Sequence, residues 1–353
     1  MKALIAMSGG VDSSVAAKIT KDLGYECIGC TMKLYDNADA GIPKGHTCCS
    51  LSDVEDARNV AFKLNIPYYV FNFKDGFREK VIDKFIKSYE NGKTPNPCID
   101  CNKYMKFEKL FERAHILGCD YIVTGHYAKI EKCGKEYLLK KAVDETKDQS
   151  YVLYDLTQEQ LAHMLFPLGG MKKSQTREIA LQSGFINAKK HDSQDICFVP
   201  DGNYADFIKR NSDKQYKEGN FIDKNGKVLG RHKGIIHYTI GQRKGLGLSL
   251  PEPAYVCRID TETNSVILGN NNDLYSYEVK AQDFNWISGE VPDSKFRCKA
   301  KIRYRQPEQW ATVTAVGKYA ANIVFDEAQR AVTPGQSAVL YDGDIVLGGG
   351  IIC

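Results

Sequence analysis

The stretch Ser8-Gly9-Gly10-Val11-Asp12-Ser13-Ser14 constrains the fold more than any other, because it follows a short apolar run at 3–7 and opens an amphipathic one at 15–23. Apolar run, glycine turn and amphipathic run read as strand, loop and helix. Two glycines let the backbone approach a ligand, and the first helical turn offers unpaired amides and a positive dipole end to an anion. Three serine hydroxyls add donors, and Asp12 can hold a magnesium ion. The common nucleotide loop, G-x-x-x-x-G-K-[ST], carries a lysine over the terminal phosphates. No lysine stands in this one, so it is a phosphate loop of another kind.

The same alternation continues through the first half. Residues 3–7, 26–32, 68–73 and 121–124 read as strands, and 11–23, 52–64, 76–89 and 104–117 as helices. This predicts an α/β fold, a doubly wound parallel sheet whose ligands lie beyond the carboxyl ends of its strands. The phosphate loop, Met32 and Thr124-Gly125-His126 all fall at such ends. Beyond residue 200 the pattern changes. A helix at 204–211 precedes the hairpin signal Asp223-Lys224-Asn225-Gly226, and short strands follow at 265–268, 295–304, 310–316, 320–325, 338–341 and 345–348. The expected domains are a catalytic one over 1–202, a small connecting β-rich one over 203–274 and a C-terminal β-barrel over 275–353. No apolar run approaches membrane-spanning length, and the start is too short for a secretory signal, so a cytoplasmic chain is expected.

Twelve cysteines in such a chain point to reduced, metal-binding or catalytic thiols rather than a disulfide framework. Cys98 and Cys101 stand three apart in Thr94-Pro95-Asn96-Pro97-Cys98-Ile99-Asp100-Cys101-Asn102, a proline-stiffened loop placed just before a helix. A helix N-terminus lowers a thiol's pKa, and the thiolate is both nucleophile and metal ligand. A third thiol, Cys197, closes Asp192-Ser193-Gln194-Asp195-Ile196-Cys197-Phe198. Such a trio suits a disulfide-forming pair, a persulfide relay or an iron–sulfur site. Cys27, Cys30, Cys119 and Cys257 read as buried, Cys27 and Cys30 facing opposite sides of their strand. Cys48-Cys49 reads as ordinary.

The loop resembles that of the N-type ATP pyrophosphatases. Together with Pro-Asn-Pro-x-x-x-Cys-Asn at 95–102 and Asp-Ser-x-x-Ile-Cys-Phe at 192–198, it makes the whole chain similar to the tRNA-uridine 2-sulfurtransferases, the MnmA family. Further matches are Gly-His-Tyr at 125–127, Lys-Asp-Gln-Ser-Tyr at 147–151, Thr-Ile-Gly-Gln-Arg-Lys-Gly-Leu at 239–246, Arg-Tyr-Arg-Gln at 303–306 and Pro-Gly-Gln at 334–336. The resemblance implies an adenine nucleotide alpha hydrolase-like sheet and ATP-dependent 2-thiolation of the wobble uridine in the tRNAs for Lys, Glu and Gln. ATP with magnesium would be held by Ala6, Met7, Ser8, Gly9, Gly10, Val11, Asp12, Ser13, Met32 and Gly125. Cys101 would be the nucleophile and Cys197 the persulfide carrier, with sulfur from a cysteine desulfurase or a relay protein. The tRNA would meet His126, Lys147, Asp148, Gln149, Arg303, Tyr304 and Gln336.

One position departs from the family pattern: Cys98 stands where better-known members carry aspartate, leaving Asp100 as a displaced substitute. The missing carboxylate favours a second scheme, in which Cys98, Cys101 and Cys197 hold a 4Fe-4S cluster as in related sulfur-inserting pyrophosphatases. Cations at 297, 299, 301, 303 and 305 would line one face of a strand over about 27 Å, and with Lys189-Lys190-His191, Arg231-His232-Lys233 and Arg243-Lys244 they suit phosphate contact. The rival readings are an AMP-forming enzyme with a non-sulfur nucleophile and a non-catalytic ATP-sensing RNA binder.

Overall fold

Side chains of the first strand, β1 (Lys2–Ala6), alternate between two cores: Leu4 and Ala6 enter one, Ala3 and Ile5 the other. A strand buried on both faces belongs at the centre of a sheet covered by helices on each side. That is its place in this computed structural model, which describes residues 1–36, 51–191 and 196–353. After β1 come the helix α1 (Val11–Asp22), β2 (Glu26–Lys33), α2 (Leu51–Lys63), β3 (Tyr68–Asn72), β4 (Tyr121–Val123), the hairpin strands β5 (Ala128–Cys133) and β6 (Glu136–Lys141), and β7 (Met164–Leu165). The sheet runs β3-β2-β1-β4-β7, all parallel. The chain leaves β1 toward β2 and β3 and returns on the other side at β4, so the switch point of the doubly wound sheet lies between β1 and β4.

The tail forms two further sheets. β8 (Gly219–Ile222), β9 (Val228–His232), β10 (Tyr255–Asp260) and β11 (Ser265–Gly269) make a four-stranded one, with Gly226 at φ +85° in the turn between β8 and β9. β12 (Tyr275–Trp286), β13 (Phe296–Lys301), β14 (Gln309–Ala315), β15 (Ala320–Arg330), β16 (Ser337–Asp342) and β17 (Ile345–Ile352) close into a six-stranded barrel through the pairing of β12 with β17. The expected parallel sheet, connecting β region and barrel are all present.

One connection was not expected. The hairpin β5–β6 leaves the parallel sheet immediately after β4 and adds to the barrel at Ile345 beside Lys140. Residues 150–158 are pinned there too: Tyr151 donates to the Ser337 carbonyl at 2.8 Å, and the Asn285 amide donates to the carbonyls of Tyr154 and Leu156 at 2.7 and 3.0 Å. Tyr151, Tyr154, Ile236, Val339 and Tyr341 consequently share one core with Leu4 and Phe85.

The cysteines of β2 behave as their spacing predicts. Cys30 enters one core and Cys27 the other, and burial pushes the Cys27 thiol up to about 11. Cys48-Cys49 and Asp192-Ser193-Gln194-Asp195 lie outside the described residues.

Candidate active site

The phosphate loop is braced from several directions. Gly9 has φ +76°, and a Cβ there would lie 2.3 Å from the Asp53 carbonyl oxygen, so only glycine fits. Ser13 Oγ accepts from the Ser8 amide at 3.1 Å and donates to the Gly10 carbonyl at 3.1 Å. The Asn187 amide donates to the Gly9 carbonyl and to Ser14 Oγ, both at 2.9 Å. Met7, buried at the end of β1, is tied to β2 by its amide on the Cys30 carbonyl at 2.7 Å. From the neighbouring strand, Gly125 lies so close that a Cβ would come 2.8 Å from the Ser13 amide nitrogen. The switch point thus brings Ala6 to Ser13 and Gly125 together at the N-terminus of α1, with Met32 near the end of β2.

Asp12, in the first turn of α1, does not stand alone. Lys173 Nζ sits 2.7 and 2.8 Å from its two carboxylate oxygens, and the Tyr127 hydroxyl donates to Oδ1 at 2.9 Å. Lys173 is the first residue of the helix Lys173–Gln182. It carries no motif-level signal in the sequence.

The thiol segment differs from expectation. The helix does not begin near residue 104: Pro97–Asp100 is already α-helical, Cys101–Lys109 is π-helical, and Leu110–Ile116 is α-helical again. Asn96 caps the start, its side chain accepting from the Cys98 amide at 3.2 Å, and Pro97 occupies the first helical position, where its missing N–H costs nothing. Cys98 and Cys101 are therefore in the first turns of the helix rather than in the loop before it. Nine π-helical residues are unusual, and such stretches concentrate at functional sites.

The two thiols face different surroundings. Cys101 and Cys197 are each partly buried and pack against the large core. Tyr35 fixes the turn at Cys197 by donating to its carbonyl at 2.7 Å. Cys98 is exposed, and a thiolate there would help raise the Tyr304 hydroxyl, which burial already pushes above its ordinary range. Among the described residues no three His, Cys, Asp or Glu side chains are grouped to hold a metal ion. Cys98, Cys101 and Cys197 are among these described residues, so their positions do not support the expected 4Fe-4S ligand set. Asp100 lies in the same first turn of the helix. It is buried against Lys84 at 2.6 Å, and burial pushes its carboxyl above the usual range although Lys84 opposes the shift.

His126 is buried between Thr124 and Lys106. Lys106 Nζ donates to Nε2 at 3.2 Å, which leaves Nδ1–H to donate to Thr124 Oγ1 at 2.7 Å. Burial, and then the Lys106 charge, hold the imidazole well below its ordinary range, so it is neutral. Gln149 bonds the Tyr127 backbone twice, at 2.9 Å each. Asp148 accepts from the Ala142 amide at 3.0 Å and Ser150 Oγ at 2.7 Å, and its carbonyl accepts from the Tyr304 hydroxyl at 3.1 Å. Lys147 follows Asp144 in the same turn. The side chain of Gln336 donates to the Thr94 carbonyl at 2.8 Å, tying a barrel loop to the segment that leads into Cys98.

The basic stripe is broken. β13 ends at Lys301, and Arg303 turns inward to donate to the Ala331 carbonyl at 2.9 Å and Thr333 Oγ1 at 2.7 Å. Arg297 is held by both oxygens of Asp326 at 2.6 Å, while Lys299 lies 5.6 Å from the exposed Trp310 ring. Lys190 binds Asp53 and Asp56 at 2.5 and 2.8 Å, and His232 is buried. Cations alternating in a sequence find carboxylates and carbonyls once the strands pair.

Fold and site together define a nucleotide-binding α/β protein in which a phosphate loop and a thiol-bearing helix are parts of one doubly wound sheet domain. Three family models match: one described as a tRNA methyl transferase HUP domain over residues 1–201, a tRNA methyl transferase PRC-barrel domain over 205–270 and an aminomethyltransferase β-barrel domain over 276–352. Proteins named tRNA-specific 2-thiouridylase MnmA are similar over essentially the whole length. The one from Clostridioides difficile (strain 630) is 54% identical, covering 99% of this chain and 98% of its own. That from Acetivibrio thermocellus is 54% identical with 99% of each chain covered, and that from Clostridium kluyveri 51% with 99% of each. The chain belongs to the MnmA family of tRNA 2-thiouridylases.

Proposed function

We propose that the chain uses ATP to activate the 2-oxygen of the wobble uridine in the tRNAs for Lys, Glu and Gln and replaces that oxygen by sulfur. The observation that carries the reading is the full-length likeness to 2-thiouridylases in a chain whose phosphate loop is braced at the switch point and whose Cys101 opens a π-helical stretch. Ser8 to Ser13, Ala6, Met7, Met32 and Gly125 hold the nucleotide. The uridine 2-oxygen attacks the α-phosphorus, and pyrophosphate leaves with the electron pair of the broken P–O bond. Magnesium would take Asp12 as a ligand and neutralise phosphate charge.

Sulfur arrives as a persulfide on Cys197, delivered by a cysteine desulfurase or a relay protein. The Cys101 thiolate attacks the Cys197 sulfur and forms a disulfide while hydrosulfide departs. Hydrosulfide adds at C2 and AMP leaves, giving the thiocarbonyl. An external thiol then reduces the disulfide. A 2-oxygen is a poor leaving group and AMP a good one, so activation must come first. The neutral His126, with Lys147, Asp148, Gln149, Arg303, Tyr304 and Gln336, surrounds the RNA; Arg303 acts by fixing the loop that carries Tyr304.

The test is incubation of the purified chain with unmodified tRNA, ATP and a persulfide donor, reading pyrophosphate and 2-thiouridine. Both should appear and both should need tRNA. Pyrophosphate without thiouridine would favour a different nucleophile.

A further inference from the structure

The loop lacks a lysine, yet an ammonium group lies against it. Lys173 Nζ contacts both carboxylate oxygens of Asp12, and its side chain is only 10% exposed against 32% for Asp12. The base of Lys173 is fixed: its amide donates to Asp144 Oδ2 at 2.9 Å, and its ammonium lies 5.8 Å from the centre of the Tyr127 ring. Asp12 has a second donor, the Tyr127 hydroxyl, which is also 2.9 Å from Thr176 Oγ1. The carboxylate therefore keeps an oriented partner if the ammonium moves.

We propose that Lys173 is the pyrophosphate-side cation of the nucleotide site, parked on Asp12 until ATP arrives and then shared with the β- and γ-phosphates. The inference rests on the ATP reading above and extends it to a residue outside the loop. A bare Asp12 carboxylate at the first turn of α1 would repel a triphosphate; paired with Lys173, it leaves the helix amides to attract the anion. A magnesium ion on Asp12 would repel the ammonium and release it toward the phosphates. Pyrophosphate gathers negative charge as it leaves, so an ammonium there favours departure.

Two roles must be separated: neutralising Asp12 and touching the phosphates. Equilibrium binding of α,β-methylene-ATP and of AMP to the full chain in EDTA does so, using the wild type, Lys173→Met, Asp12→Asn and the double variant. The double variant leaves no carboxylate without its cation and so guards against misfolding of Lys173→Met. Losing a charge-assisted contact should weaken the triphosphate analogue by about ten- to hundredfold and AMP by much less. The double variant should stay about tenfold weaker than Asp12→Asn for the analogue. Equal binding by Asp12→Asn and the double variant would overturn the proposal, since the lysine would then only neutralise Asp12. A wild type that binds the analogue no better than AMP even with magnesium restored would instead overturn the ATP reading itself.

Discussion

The phosphate end and the thiol end of the site are built in opposite ways. At the phosphate end, the residues that matter stand within one stretch, and the glycine, serine and helix-start signals all point to the same geometry. Distant residues add to a geometry already set: Asn187 braces the Gly9 carbonyl and Lys173 pairs with Asp12. At the thiol end, Cys98 and Cys101 are local, but almost everything that holds them comes from elsewhere: Lys84 on Asp100, Gln336 on Thr94, Val152 on Asn102 and Tyr304 near Cys98. A binding loop can be encoded locally because backbone amides do the work. A reactive thiol depends on its surroundings, which only the tertiary fold supplies.

This contrast is broken most directly at Cys101. Cys101→Ser should lower 2-thiouridine formation on the order of a thousandfold or more while tRNA-dependent pyrophosphate release continues; equal loss of both would mean that the two ends are not separable. Next, Gly9→Ala forces a Cβ against the Asp53 carbonyl at positive φ and should destabilise the fold by about 1–3 kcal/mol, with ATP-analogue affinity falling in step. Unchanged melting and affinity would show that the loop relaxes more easily than its bracing implies.

At the thiol end, Lys84→Met leaves Asp100 buried without its cation. Because Lys84 is partly exposed, the cost should be about 1–3 kcal/mol, and thiolation should suffer more than pyrophosphate release. Equal effects on both would make the pair a general strut. Arg303→Ala removes donors to Ala331 and Thr333 and should cost about 1–2 kcal/mol of stability. The salt dependence of tRNA binding should hardly change, whereas a slope reduced by about one would show a direct phosphate contact.

The smallest effect is a pH response. His126 is held below its unfolded value, so the unfolded state binds the extra proton and folding loses up to about 1.4 kcal/mol per pH unit from this group as pH falls below about 6.5. His126→Gln should flatten that part of the urea-midpoint profile; an unaltered slope would mean that the imidazole is not held neutral.

The parts legible in the sequence were those with short-range causes. The sheet strands, the loop, the hairpin at Asn225-Gly226 and the opposed faces of Cys27 and Cys30 follow from periodicity and turn chemistry. The helix starts earlier than the spacing predicts because Asn96 and Pro97 serve as its cap and first helical residue, not as loop stiffening. The hairpin β5–β6 went unassigned because its partner β17 lies about two hundred residues away. The basic stripe is interrupted for the same reason: Asp326 and the Ala331 carbonyl are remote in sequence and decide where Arg297 and Arg303 point. Lys173 and Lys106 had no local mark at all. Their roles arise only when helix and strand ends meet.

The proposed order, in which one site first activates a tRNA uridine and then passes sulfur to it, is open to direct test. The most direct measurement follows pyrophosphate and 2-thiouridine together on unmodified tRNA, using wild type and Cys101→Ser with ATP and a persulfide donor. Both products should form with the wild type and pyrophosphate alone with the variant. Thiouridine made at the wild-type rate by Cys101→Ser, or none made by the wild type, would contradict it.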